Sequence, residues 1–139
     1  LTTINVSATA VSDLTPLASV PSLLELNAVG LGLTNLPTGL SVTRAQLQDN
    51  VIEDLSPLTT WAPLERWSLT KNAIDDLSPL LTMPWMFDGS SCRLIQVDDN
   101  PLTNPGNAAV VEQICPSLGI DVFVGDDAID CWASCDPFP

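Results

Sequence analysis

The side chains able to do chemistry in this chain are unevenly chosen: 17 carboxylates, four cysteines and four bases, with no histidine and no tyrosine. Without histidine, neither a Ser-His-Asp nor a Cys-His arrangement can be assembled. A glycine-rich phosphate loop is missing, and the cysteines lack the Cys/His spacing of a zinc site. Catalysis needs nucleophiles, acids or metals that converge, so the chain is expected not to be an enzyme and to need neither cofactor nor metal. Asp121, Asp126, Asp127, Asp130 and Asp136 crowd the C-terminal region, and calcium prefers several oxygen ligands. Their spacing fits no calcium loop, so a solvated acidic tail is the expectation.

The charge balance narrows the partners further. A net charge of −13 would be repelled by nucleic acid and by anionic membrane surfaces. Cationic partners would suit it. No apolar run reaches the ~18 residues a membrane helix requires, so membrane insertion is not expected. The even cysteine count favours disulfides and an oxidising compartment, hence an extracellular or cell-surface location. Residue 1 is Leu rather than Met, which suggests a processed or truncated chain lacking an N-terminal cap.

The chemistry-bearing residues are positioned by a repeat. Residues 50–58 read NVIEDLSPL, residues 72–80 read NAIDDLSPL, and residues 9–17 give a looser TAVSDLTPL. Apolar side chains keep the same 22-residue step on both sides of this motif. A fixed period in the twenties is the signature of stacked strand-and-turn units. Coils are expected to begin at Leu1, Leu23, Val42, Leu64 and Cys92, with positions 1, 4, 6, 9, 11 and 14 of each facing inward. Positions 4 and 6 have the alternation of a short half-buried strand. Thr15, Ser56 and Ser78, each followed by proline, read as N-caps of a short helical or 3-10 return. Asn50, Asn72 and Asn100 stand at position 9, where stacked backbones can satisfy an inward-facing amide.

The pattern L-x-x-L-x-L-x-x-N-x-I-x-D-L-S-P-L resembles the leucine-rich repeat family, in its bacterial, internalin-like 22-residue form. The resemblance implies an α/β leucine-rich repeat solenoid of short parallel strands with 3-10 or short helical returns. About five coils would span residues 1–105, and residues 106–139 would form a C-terminal helix–strand cap with a cysteine-bearing tail. Thr9 and Leu31 replace the family's asparagine, and the second coil is three residues short. After residue 102, NAAVVEQI (107–114) is expected to form the cap helix and 120–124 the last strand, with Pro116 between them.

Two candidate surfaces follow. All four bases, Arg44, Arg66, Lys71 and Arg93, fall on expected strand positions. Members of the family usually bind partners on the concave strand face. The resemblance therefore implies a protein- or glycan-binding surface formed by Arg44, Gln46, Gln48, Asp49, Glu65, Arg66, Ser68, Thr70, Lys71, Arg93, Gln96, Asp98 and Asp99. Asp49, Lys71 and Asp99 share position 8 and read also as a cross-strand charge ladder. The second surface is a six-residue insertion, 86–91, beside Trp85; with Met86 and Phe87 it suggests a protruding apolar loop. That loop, with an uncapped N-terminal edge, would instead suit a structural subunit docking onto further chains.

The four cysteines permit three pairings. Cys92 opens a strand and Cys115 closes the helix returning to its side, so Cys92–Cys115 together with Cys131–Cys135 is the expected set.

Overall fold

The computed structural model describes residues 2–63, 65–83, 93–118, 120–126 and 129–131. Six strands form one sheet: β1 (Thr3–Asn5), β2 (Glu25–Asn27), β3 (Arg44–Gln46), β4 (Arg66–Ser68), β5 (Leu94–Gln96) and β6 (Asp121–Phe123). Every neighbouring pair is parallel, and the order across the sheet is the order along the chain. The register Thr3↔Glu25↔Arg44↔Arg66↔Leu94 reproduces the expected steps of 22, 19, 22 and 28 residues. The chain thus winds one turn per strand, an α/β arrangement compatible with a solenoid.

Each strand is three residues long, and its middle side chain points into the core. Leu26, Ala45, Trp67, Ile95 and Val122 point inward and are buried, while their neighbours face outward. Leu47, Leu69 and Val97 follow as the next inward residues, and Ile52, Ile74, Leu55 and Leu77 close the ribbon from the opposite side. Trp61 packs against Trp67 with ring centroids 4.6 Å apart and planes tilted by 50°, and it donates its indole N–H to the carbonyl of Pro37 at 2.7 Å.

The returns differ from expectation in three ways. Three-ten turns occupy Thr15–Ser19, Ser56–Thr60 and Ser78–Thr82, but the second coil crosses back in irregular extended chain. That coil has the short L-P-T-G-L run in place of D-L-S-P-L. Nor are Thr15, Ser56 and Ser78 the caps. They already belong to the turns, and their N–H groups donate to the carboxylates of Asp13, Asp54 and Asp76 at 2.8–2.9 Å. The motif's aspartate, two residues upstream, supplies the missing acceptor. Finally, α1 (Asn107–Leu118) runs through Pro116. The proline forgoes one amide hydrogen bond in the last turns without ending the helix.

Asparagines hold the coils in register, as expected. The Asn50 amide accepts from Leu31 and Leu33 N–H and donates to the Ala28 and Leu47 carbonyls. Asn72 receives Ile52 N–H and donates to Leu47 and Leu69, and Asn100 receives Asn72 and Ile74 N–H and donates to Leu69 and Val97. Asn107, at the start of α1, ends the series by accepting from Leu77 N–H and donating to the Asp75 carbonyl.

A disulfide joins Cys115 of α1 to Cys131. It overturns both expected bridges, Cys92–Cys115 and Cys131–Cys135, since each needed a sulfur used here. The reason is tertiary: Cys131 forms an antiparallel bridge with Val122, which brings it back over β6 and within a 6.1 Å Cα separation of Cys115. Cys92 and Cys135 lie outside the described residues, as do Trp85, Met86 and Phe87 of the expected loop. Among the described residues, no helix is long and apolar enough to cross a membrane.

Candidate binding surface on the strand face

The outward side chains of the strands form two rows. One row is Thr3, Glu25, Arg44, Arg66, Leu94 and Asp121; the other is Asn5, Asn27, Gln46, Ser68, Gln96 and Phe123. Neighbours within a row sit one strand spacing apart, about 4.8 Å. Of the expected surface, Arg44, Arg66, Gln46, Ser68 and Gln96 are therefore brought together on one face. Glu65, Gln48, Thr70 and Asp98 flank it, and the Thr70 hydroxyl donates to Asp98 at 2.7 Å. The Gln48 Oε1 is buried and has no hydrogen-bond partner among the described residues.

The first row does not stay open along the whole sheet, whereas the second is exposed or half-buried throughout. From β1 to β4 the first row is half-exposed or exposed, whereas Leu94 is 8% exposed and Asp121 fully buried. Arg93, expected on the exposed face, is likewise buried at 8% exposure. It precedes β5 at the closed end, so it does not contribute to a free surface. The usable part of the face is centred on β2–β4.

Asp49, Lys71 and Asp99 also change role. They lie past the strands with φ of 55–58°, in the left-handed region where Gly30 of the second coil also sits at φ 70°. Position 8 is a turn position, chosen for backbone geometry. No salt bridge links the three among the described residues, and the expected charge ladder is not formed. Each remains exposed at the rim of the face.

Two ion pairs converge on Arg44. Its guanidinium bonds Glu65 at 2.8 Å and approaches Glu25 at 3.5 Å, while Glu25 accepts the Thr3 hydroxyl at 3.1 Å. The hydrogen bond and charge of Glu65, and then those of Glu25, raise the Arg44 pKa above its ordinary value. Beside this network lies a cleft of about 220 Å³ lined by Thr2, Thr3, Leu24, Glu25, Thr43, Arg44 and Glu65. Thr2, Thr3, Leu24, Glu25 and Thr43 were not among the residues expected at a site. Their signal was present in the repeat: Thr2, Leu24, Thr43 and Glu65 all hold position 2 of successive coils.

Of the acidic C-terminal residues, Asp126 is exposed as expected, whereas Asp121 and Asp130 are drawn into the fold. Asp121 is buried in β6, and Asp130 accepts the N–H groups of Val124 and Gly125. Among the described residues, no three metal-ligating side chains come together; Asp127 and Asp136 lie outside them. No protein-family model matches the chain, and no curated protein matches it.

Proposed function

We propose that the chain is a non-catalytic leucine-rich repeat module, secreted or held at a cell surface, that binds a protein or glycan on its strand face. One observation carries this reading. The paired register places Asn27, Gln46, Ser68 and Gln96 side by side on the outer face, beside Arg66. A regular array of polar side chains on a rigid sheet suits recognition, because little ordering entropy is lost when a partner docks. The disulfide supports an oxidising compartment.

The test is capture of a partner from native extract by wild-type protein and by a variant carrying Arg66→Glu with Gln96→Glu. Loss of the captured protein or glycan supports the strand face; unchanged capture overturns it.

The second reading, a structural subunit of a larger assembly, is favoured by the apolar residues of the first coil. There Ile4, Val6 and Val11 are only partly buried. Light scattering of the purified chain distinguishes it: concentration-dependent oligomers that a Val6→Ser change disperses support assembly, and monomers at all concentrations exclude it.

A further inference from the structure

The geometry points to the cleft beside β1–β3 as a subsite for a basic side chain, lysine or arginine, of a partner polypeptide, with Glu25 receiving its charge. This deepens the strand-face reading and rests on it. Two carboxylates and one guanidinium line the cleft, leaving it one negative charge in excess. The excess is localised. Glu65, with a side chain only 13% exposed, holds Arg44 at 2.8 Å, whereas Glu25 is 43% exposed and stands 3.5 Å from Arg44. Glu25 otherwise receives the Thr3 hydroxyl. It is the carboxylate with capacity for another cation.

The remaining walls fit the rest of such a side chain. Leu24 is 48% exposed and offers an apolar surface for a methylene stem, the part of a lysine or arginine that packs while its head stays polar. Thr2, Thr3 and Thr43 add hydroxyls and methyl groups around it. An anion is disfavoured, because the cleft's cation is already neutralised from two sides. A polypeptide is favoured over a free polyamine by continuity with the face. Asn27 and Gln46 lie two residues along the same strands from Glu25 and Arg44, and their amides can bond a peptide backbone. The net charge of −13 would steer a basic segment toward the protein.

The probe is a tetralysine peptide titrated at low salt into the isotopically labelled chain, with amide shifts read residue by residue. The largest shifts are expected at Leu24, Glu25 and Thr43. Glu25→Gln and Leu24→Ser should each weaken binding about threefold, in line with an exposed pair or contact. Arg44→Gln removes the competing internal cation and should tighten binding about threefold. Glu53→Gln, on the return side, should leave it unchanged. Shifts centred on Glu53, Asp54, Asp75 and Asp76, or weaker binding by Arg44→Gln, would overturn the subsite. Spermine binding as tightly as tetralysine would overturn its assignment to a polypeptide. The titration needs no native partner. If it fails while the Arg66/Gln96 variant still loses capture, only the subsite falls; if the cleft binds while capture is unaffected, the strand-face reading falls.

Discussion

The two ends of the sheet are finished differently. At the C-terminal end, β6 is covered on its outer edge by the Cys131 bridge, α1 packs behind it, and Ile95, Val97, Ile120 and Val122 are fully buried. At the other end, β1 has Ile4, Val6 and Val11 only partly buried, and Thr9 in place of the bonding asparagine. Thr9 turns its hydroxyl to the Val6 carbonyl within its own coil, while Asn100 reaches two coils. A coil in a stack owes its stability to both neighbours. Coils alike in sequence are therefore expected to differ in stability according to their neighbours.

The largest effect is expected from Ile95→Ala, which should cost about 2–5 kcal/mol, against under about 1 kcal/mol for Ile4→Ala, because only the first leaves a closed cavity. Chemical denaturation measures both, and equal losses would remove the distinction. Next, converting Cys115 and Cys131 together to alanine should cost about 2–4 kcal/mol. Hydrogen exchange should then quicken in β6 and α1 but not in β2. Asn100→Ala should cost about 1–3 kcal/mol through stranded backbone groups, with Thr9→Ala well below it.

The smallest effect is one of pH. Asp13 and Asp54 are held below their ordinary pKa by hydrogen bonds from Thr15 and Ser56, and Asp75 by those from Thr103. A carboxylate depressed on folding binds protons more readily in the unfolded chain. Its contribution is therefore complete above the unfolded value of about 3.9 and lost as pH falls through the lower folded value. Thermal melts should show stability declining below about pH 4. Asp54→Asn should flatten that decline; an unchanged profile would show that the turn carboxylates do not contribute.

Much of the framework was legible in the sequence. The position-9 asparagines, the coil steps and the inward leucines follow from a local pattern repeated along one axis, where each residue's neighbour lies one period away. The candidate surface was legible only in part. Arg44, Arg66, Gln46, Ser68 and Gln96 fell where the period put them, but Arg93 is buried and Asp49, Lys71 and Asp99 serve turns. Burial at a sheet end and left-handed backbone geometry are not periodic properties. The cleft at Leu24 and Glu25 was missed because, although its residues recur at positions 2 and 3, its shape depends on how side chains of four coils lean together.

By itself, the sequence determined the winding: a period near 22 residues, with one inward side chain per short strand, admits one register. Tertiary structure alone decided the ends and the cross-links. Which cysteines meet and which end of the face is covered depend on contacts between segments that no period relates. Those contacts are set by packing between segments far apart in the chain.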